Sequence, residues 1–596
     1  MTRLGYLRAY LRLRLLFCAV VAVAVFSSFD ESNLSGEEGS ARRTLHFPSD
    51  RAVGTLFLRL PEAKPSAYSM YGNGWIVMRK TRGDVRVPAQ ALVRLDVGKA
   101  ASGDLAWLDA FEPDDIQGVS LDTTDVNDGT LRHLTRLTGL RSINLRGTRI
   151  SDAGLTGFDA LTNLEEIWLD ALGIAREGFG VGDGAMRVLG RLHKLRTANL
   201  RFTKITDGGL AELARCGSLT DLDLEGTNVS DASMPHLVAL PGLERLSLGG
   251  YSSRVNLTNE GLKPIGKLVN LTRLNLSGTR ITGEGLAHLY GLTKLKALDL
   301  EATQISESDL FFLEPLKSLE WLSLYAENGS TDVAAERLAR LKSLRHLHAH
   351  FRVSEEGVAW LASLPRLENL AFNGPGVTDD CAESIAKMAS LKKVWFEDCP
   401  ITDATLAAVA GLPNLERLML SRTRVTGDGI GELRRARKLT NLDVNFDPPD
   451  EQQPVNLPRP HLRGIGKLAQ LKQLVIWGRS LAGRDLEDIA GLTSLEYLQL
   501  AMPVDDAGAS ALTRLTRLSG LRIEGGVLTD PGIKQLSYLS RLRFLEVEGS
   551  FTDAGLLELA PLGELNYLGV RSSNVTDAGL RALSRELPVL QRAMRR

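Results

Sequence analysis

Apolar residues recur along most of the chain in one repeated pattern: an apolar pair spaced by two, a short polar segment, and then apolar residues at helical spacing. Two clear copies are LTGLRSINLRGTRISDAGLTGF and LTKLKALDLEATQISESDLFFL. Counted by the last apolar residue of each pair, the repeat returns nineteen times, 23 to 25 residues apart except at three longer turns. These marks are Leu121, Leu145, Leu169, Leu200, Leu224, Leu248, Leu276, Leu300, Leu324, Ala349, Phe372, Phe396, Leu420, Val444, Ile476, Leu500, Ile523, Val547 and Val570.

The spacing of two within each pair predicts a short strand. Ile143 and Leu145 must point to the same side, which is the core, while Asn144 and Arg146 point outward. Nineteen such strands stacked in parallel at ~4.8 Å would form an outward surface on the order of 85 Å long. A surface of that length suits a protein partner better than a small substrate.

Two polar positions also recur. A threonine follows the strand mark by three residues, and its column lies between apolar columns, so its hydroxyl is predicted to be buried and to satisfy backbone groups of a tight turn. These threonines are Thr124, Thr148, Thr203, Thr227, Thr279, Thr303 and Thr423. Ser or Thr followed by Asp then predicts a helix start, with the hydroxyl as the cap and the carboxylate at the positive end of the helix dipole. These pairs are Ser151 with Asp152, Thr206 with Asp207, Ser230 with Asp231, Thr402 with Asp403, Thr552 with Asp553, and Thr576 with Asp577.

The repeated phrase resembles the leucine-rich-repeat family, in particular its long bacterial members and the repeats of F-box proteins, which share an ITDxGL motif. The resemblance covers about four fifths of the chain. It implies an α/β solenoid, a horseshoe of about nineteen turns with a parallel concave sheet and short convex helices, that binds proteins. The residues support the same architecture independently, through the strand and helix periods above.

The ends of the chain differ from the repeats. Residues 1–29 place four arginines before an apolar run from Leu15 to Phe26, the layout of a signal peptide or a membrane anchor. Residues 30–43 read as a flexible linker. Residues 44–100 read as a small β module that caps the solenoid, and residues 101–596 as the solenoid itself. The strands expected in the module are Thr55–Leu60, Trp75–Arg79, Asp84–Val87 and Leu92–Val97.

Composition and the positions of a few residue types narrow the classes of partner and of site that the chain can have. The 71 basic and 72 acidic side chains leave a formal charge of −1, so no global field favours nucleic acid as a partner. Cys216, Cys381 and Cys399 occupy core or turn positions and are expected to be unpaired. Three turns carry extra residues between strand and helix, near Gly173–Gly184, Tyr251–Thr258 and Asp447–His461, and these loops compete with the sheet as a binding edge.

Candidate binding residues are the outward side chains that the solenoid itself does not need. The phrase RHLHAH gives three histidines on one strand, and aromatic residues occupy outward positions nearby. The predicted partner-binding residues are Trp321, Tyr325, His346, His348, His350 and Trp395. A metal site is not expected, because no carboxylate is found at the neighbouring outward positions to complete it.

The sequence therefore predicts a non-catalytic protein-binding scaffold or receptor-like module that is exported, whether periplasmic, secreted or at the cell surface, and is either free or tethered to the membrane by its N-terminus. No catalytic or cofactor-binding residue is predicted, since phosphate loops, nucleophile elbows and zinc motifs are missing from the sequence. The alternative is a substrate-recognition adaptor of an F-box-like ligase complex. An enzyme or metal site on the concave face ranks below both.

Overall fold

The computed structural model describes residues 41–59, 75–78, 81–170, 180–250, 256–324, 330–349, 351–447, 460–587, 589–590 and 592–595. The chain divides into two compact units, unit 1 from Met1 to Val229 and unit 2 from Ser230 to Arg596. Each unit contains parallel strands on one side and short helices that follow them along the chain.

Unit 1 contains ten described strands. They are β1 (Arg42–His46), β2 (Gly54–Arg59), β3 (Ile76–Met78), β4 (Asp84–Pro88), β5 (Leu92–Val97), β6 (Gly118–Ser120), β7 (Ser142–Asn144), β8 (Glu166–Trp168), β9 (Thr197–Asn199) and β10 (Asp221–Asp223). Its α and 3-10 helices are Lys99–Ala101, Ala106–Ala110, Asp128–Leu131, Arg132–Arg136, Asp152–Leu155, Phe158–Ala160, Asp183–Leu189, Asp207–Leu213 and Ala214–Cys216.

The first five strands precede the repeats. Strand β1 pairs antiparallel with β4, and β2 pairs antiparallel with both β3 and β5. Strand β5 then pairs in parallel with β6, with Arg94 opposite Gly118, so the first repeat strand is covered at its edge. Strands β2 to β5 fall where the alternating sequence predicts them. Arg42 and Arg43, which the sequence placed in the linker, are part of β1.

Unit 2 contains fifteen described strands, each paired in parallel with the next. They are β11 (Arg245–Ser247), β12 (Arg273–Asn275), β13 (Ala297–Asp299), β14 (Trp321–Ser323), β15 (His346–His348), β16 (Asn369–Asn373), β17 (Lys393–Glu397), β18 (Arg417–Ser421), β19 (Asn441–Asn445), β20 (Gln473–Trp477), β21 (Tyr497–Ala501), β22 (Gly520–Glu524), β23 (Phe544–Glu548), β24 (Tyr567–Arg571) and β25 (Arg592–Arg595).

Helices alternate with these strands. They are Asp231–Ala239, Asn259–Ile265, Gly283–Leu286, Ala287–Leu289, Glu307–Leu313, Asp332–Leu338, Glu355–Ala362, Asp379–Cys381, Ala382–Ala386, Asp403–Val409, Gly427–Ile430, Gly431–Arg435, Ile465–Lys467, Gly483–Ile489, Asp506–Leu512, Asp530–Leu536, Asp553–Leu557 and Asp577–Glu586. Among the described residues, none of the helices has the length and apolar character to cross a bilayer.

The nineteen strand marks predicted from the sequence coincide with strands β6 to β24, which confirms the repeat and its period. Each mark is the residue directly after a strand, as Leu300 is, or the fourth residue of a five-residue strand, as Leu420 is. Both are buried at 2% exposure or less, as are their pair partners Leu298 and Leu418. The apolar pair therefore builds the core as its spacing requires.

The recurring threonine closes the turn after the strand. The Thr279 hydroxyl donates to the Leu276 carbonyl at 2.6 Å, and its backbone N–H points to the same oxygen at 3.3 Å. Five more predicted threonines donate to the corresponding carbonyl at 2.6 or 2.7 Å, namely Thr124, Thr148, Thr203, Thr227 and Thr303. Thr279 is 3% exposed. The predicted role in the turn is thus confirmed for these six threonines and the predicted burial for five of them, because Thr303 is half-buried.

The aspartate that begins a helix bonds to the following turn. Asp553 accepts from the backbone N–H of Thr576 at 2.8 Å and from its hydroxyl at 2.7 Å. Asp403 makes the same two bonds to Thr426. The sequence assigned these carboxylates to their own helix dipole, and that assignment was incomplete because it overlooked the bonds between turns.

Glycine in the ITDxGL phrase makes room for this carboxylate. A Cβ atom at Gly555 would lie 2.2 Å from Oδ1 of Asp530, the aspartate of the turn before. The same conflict would arise at Gly579, where Oδ1 of Asp553 is 2.1 Å away. Aspartate and glycine of successive turns therefore form one continuous column of contacts.

The three described cysteines, Cys216, Cys381 and Cys399, are buried and free, as expected from the sequence. Burial raises the pKa of the Cys399 thiol to about 12. These thiols act as small core side chains rather than as nucleophiles.

Candidate functional site

Four of the six predicted partner-binding residues are described, and all four lie on the sheet of unit 2: Trp321, His346, His348 and Trp395. His348 is exposed and the other three are half-buried, whereas the residues between them along each strand are buried. They therefore lie on the side of the sheet opposite the core, which is called here the outward face. Tyr325 and His350 lie outside the described residues.

Strand pairing brings part of this set together. Trp321 is directly opposite His346, and Ser323 is opposite His348. Trp395 is opposite Ala371 on the strand between β15 and β17. Trp321, His346 and His348 therefore form one cluster, and Trp395 lies two strand spacings, roughly 10 Å, from β15.

His348 is held by a buried carboxylate that the sequence did not reveal. Its Nδ1 atom lies 2.8 Å from Oε1 of Glu301, whose side chain is 3% exposed, and 3.1 Å from the hydroxyl of Ser323. The Ser323 hydroxyl also donates to Glu301. Glu301 lies two turns earlier along the chain, and the residues of the adjacent turns alone do not indicate its contact with His348.

Serine, histidine and glutamate meet here without forming a nucleophilic relay. A relay requires the acid on one imidazole nitrogen and the serine on the other. In this cluster Ser323 and Glu301 both contact Nδ1 of His348, and the Ser323 hydroxyl is fully buried. The arrangement orients an imidazole on a surface and provides no nucleophile for a substrate.

His346 is kept neutral by its surroundings. Burial lowers its pKa, and Arg345, Lys392 and Lys393 lower it further, while Glu368 opposes them. Its Nδ1 atom lies 2.8 Å from the Asn369 amide nitrogen, which donates to it. His346 is therefore a hydrogen-bonding ring rather than a cation near neutral pH.

Within the part of the chain that the structure describes, no group of three or more His, Cys, Asp or Glu side chains is placed to hold a metal ion. Beside His346, Glu368 is paired with Arg345 and, at 3.0 Å, with Lys392, and beside His348 a single carboxylate of the described residues, Glu301, contacts the ring.

A second group of aromatic rings on the outward face was not singled out from the sequence. Tyr497, Phe544 and Tyr567 are the first residues of β21, β23 and β24, and each is half-buried. The rings of Phe544 and Tyr567 stack with centroids 4.7 Å apart and planes 8° from parallel. The sequence contains the signal for this group, because each of the three residues immediately precedes a core leucine of its strand, as Trp321 does.

The hydroxyls of these tyrosines are anchored. The Tyr567 hydroxyl donates to Oε1 of Glu546 at 3.0 Å, and the Tyr497 hydroxyl donates to Oε1 of Gln499 at 3.4 Å. Tyr497 packs over Gly520, where a Cβ atom would lie 2.7 Å from the ring, and burial raises its pKa to about 12. The rings are thus fixed in position before any partner arrives, which lowers the entropy cost of binding.

Between the two aromatic groups lies a buried ion pair. Asp443 is 3% exposed, and its Oδ2 atom is 2.6 Å from Nη2 of Arg417. Burial raises the pKa of Asp443 although Arg417 opposes the shift. The pair orients the Arg417 guanidinium across the outward face.

The outward face of unit 1 is mainly charged, although Trp168 on β8 is a half-buried ring there. Asp122, Arg146, Asp170, Arg201 and Glu225 stand at equivalent positions two residues after successive strands. Nε of Arg146 is 3.8 Å from Asp170, and Nη2 of Arg201 is 2.6 Å from Glu225. Opposite charges therefore neutralise one another within this unit, and unit 2 offers the better candidate surface.

Comparison with known families places these features in context. Residues 194–458 match the family described as "Leucine-rich repeat region". This match, together with the parallel sheet of short strands and the repeated helices, confirms the resemblance to leucine-rich-repeat proteins and the solenoid fold.

Individual relatives are distant. The "Putative adenylate cyclase regulatory protein" of Trypanosoma equiperdum is 31% identical over 126 residues, which is 21% of this chain and about a fifth (19%) of that protein. An internalin of Listeria monocytogenes is 20% identical over 61% of this chain and 88% of its own, with a TM-score of 0.36. The TLR13 structure with ssRNA13 is 19% identical over 77% of this chain and 67% of its own, with a TM-score of 0.45.

Proposed function

We propose that this chain is a non-catalytic scaffold or receptor-like module that binds a protein partner on the outward face of unit 2. The observation that carries the proposal is the cluster of Trp321, His346 and His348, with Trp395 two strands further along the same face, where the core, turns and caps are supplied by other residues. Grouped rings at a surface are typical of protein interfaces, where Trp and Tyr contribute most of the binding energy.

A crosslinking experiment tests where the partner binds. A photo-crosslinking amino acid replaces Ala371, which lies beside Trp395 on the outward face, and in a matched control it replaces the exposed Ala386 on a helix of the same turn. The partner captured through position 371 is then purified and titrated against the unlabelled chain. Capture through position 386 alone would contradict the proposal.

Two tryptophans are expected to supply much of the affinity. Replacing both Trp321 and Trp395 by Ala should weaken binding of the captured partner by at least about 2 kcal/mol, or roughly 30-fold, with little change in a circular-dichroism melt. The matched control is Trp360→Ala on a helix, where the side chain is exposed and binding should not change. Unchanged affinity in the double variant would place the site elsewhere, with the inserted loops the next candidate. A collapsed melt would mean that these rings belong to the core.

The second candidate function is a substrate-recognition adaptor of an F-box-like complex. That function needs a helical module ahead of the repeats. Strands β1 to β5 occupy the described part of residues 42–97, which favours the scaffold over the adaptor. Failure of the chain to bind a ligase scaffold protein in a direct titration is the result expected here.

A further inference from the structure

The parallel register of unit 2 aligns the first residues of β11 to β24 in a single row across the outward face, called here the first row. Its fourteen members are Arg245, Arg273, Ala297, Trp321, His346, Asn369, Lys393, Arg417, Asn441, Gln473, Tyr497, Gly520, Phe544 and Tyr567. At ~4.8 Å per strand, the row extends for roughly 60 Å.

The charged side chains of the first row are all basic. It contains four Arg or Lys side chains and four large aromatic rings but no Asp or Glu. The third residues of the same strands include three acids, Asp299, Asp443 and Glu546, against one cation, Arg522. The fifth residues of the later strands include Glu397, Glu524 and Glu548 against Arg571. The outward face is therefore basic and aromatic along the N-terminal ends of its strands and acidic towards their C-terminal ends.

Charges next to the first row do not cancel this polarity. The residues just before the strands alternate in sign and pair with one another, as Lys296 does with Glu320 at 3.4 Å and Lys472 with Glu496 at 3.7 Å. Within the row, the guanidinium of Arg417 is paired with Asp443, whereas Arg273 is exposed. The sign of the row's formal charge is therefore set by its own side chains, four cations and no carboxylate.

We propose that the first row binds an extended acidic polypeptide segment that carries aromatic or large apolar side chains. This proposal rests on the proposed function and specifies its partner. Carboxylates of the segment lie over Arg245, Arg273 and Lys393, and its apolar side chains pack against the rings of the row. A segment of roughly 18 residues at ~3.3 Å each spans the row. Basic segments are repelled by the row, so charge selects the partner.

Single-stranded nucleic acid, which also favours basic and aromatic surfaces, fits this row poorly. Bases bind by stacking on open ring faces. Phe544 and Tyr567 stack on each other, and the Tyr497 ring leans onto Gly520, so these rings present mainly edges. The nearby carboxylates Glu397, Glu524 and Glu548 would also repel a phosphate backbone.

The test uses polymers of known composition with the full chain. A fluorescent random copolymer of glutamate and tyrosine is titrated against the wild type, against the Arg273→Glu, Lys393→Glu double variant, and against an Arg581→Glu, Arg585→Glu control. Both control residues are exposed on the helix Asp577–Glu586 rather than on the sheet. A lysine–tyrosine copolymer and poly(U) serve as competitors.

We expect the wild type to bind the acidic copolymer and the affinity to fall as the salt concentration rises. The Arg273→Glu, Lys393→Glu double variant should bind the copolymer at least about tenfold more weakly than the wild type. The helix control should stay within about twofold. Equal binding by both double variants overturns the proposal, as does stronger competition by poly(U) or by the lysine copolymer than by unlabelled acidic copolymer. If the acidic copolymer does not bind while the captured partner still depends on Trp321 and Trp395, the outward face remains the binding site and only the proposed class of partner is wrong. If the copolymer does not bind and the captured partner does not depend on these tryptophans, the outward face is not the binding site.

Discussion

The aspartate that begins a repeat helix lies at the positive end of that helix and also accepts hydrogen bonds from the threonine of the next turn, as Asp183 does from Thr206. Capping preferences correctly place Thr206 and Thr402 at helix N-caps. They do not reveal that the Thr206 hydroxyl donates to Asp183 of the previous turn at 2.5 Å instead of capping its own helix. A pattern within one turn carries no information about which atoms face the next turn, so contacts between turns need the folded register.

The same limit applies to the candidate site. The strand phase placed Trp321, His346 and His348 on one face from their spacing alone, and the structure has them there. The Glu301 carboxylate that holds His348 comes from two strands away, and its approach depends on side-chain length and rotamer rather than on sequence spacing. Binding by these residues stays a prediction.

A pH effect is expected at His346. Its folded-state pKa is lowered, chiefly by burial, so below the unfolded pKa near 6.5 the unfolded chain binds more protons than the folded one. The free energy of unfolding should therefore fall as pH drops through this range, and His346→Gln should remove that part of the fall. Chemical denaturation at several pH values measures it.

The control for this prediction is His193→Gln, which removes an exposed imidazole in unit 1. Its denaturation midpoint should follow the wild type at each pH. If His346→Gln shows the same pH dependence as the wild type, the imidazole is as well solvated in the folded state as in the unfolded one.

At the scale of elements, strand length changes along unit 2. Strands β11 to β15 have three residues, and strands β16 to β24 have five. The threonine that turns the chain after the strand is frequent in the earlier repeats, and Thr423 alone holds that position in the later ones. The threonine alone does not set strand length, because β18 has five residues although Thr423 follows it, whereas β15 has three although Arg352 stands at that position.

The column of aspartate and glycine is expected to control stability between turns. Gly555→Ala should lower the free energy of unfolding by about 1–3 kcal/mol, because its Cβ would overlap the Asp530 carboxylate. Gly563→Ala is the matched control: its Cβ would meet no atom within 4 Å, so any change should stay below about 1 kcal/mol. Urea denaturation of both variants gives the comparison.

Adding Asp530→Ala to Gly555→Ala tests whether the two positions act together. The second change removes the overlap, so the two effects should be non-additive. Additive losses, or a Gly555→Ala variant as stable as the wild type, would show that the turns adjust freely and that the column is not a constraint.

At the scale of the whole molecule, the fold could be predicted from the sequence because each turn of a repeat protein contacts chiefly its neighbours. Nineteen strands follow from the position of one apolar pair in each turn. The division into two compact units and the twentieth repeat strand, β25, do not follow from it. Strand β25 pairs with β24 although its sequence, RAMR, lacks the apolar pair, since backbone pairing at a sheet edge does not require that pattern.

Export of the whole chain remains a proposal that rests on residues 1–29, which lie outside the described part of the structure. Four arginines followed by the apolar run from Leu15 to Phe26 are typical of a segment that enters the export pathway. Mass spectrometry of the native protein should find an N-terminus near residues 25–30, or the intact chain in the membrane fraction. Val21→Arg places a charge in the apolar run and should block export, whereas Val21→Leu should not. An intact wild-type chain in the soluble cytoplasmic fraction would contradict the proposal.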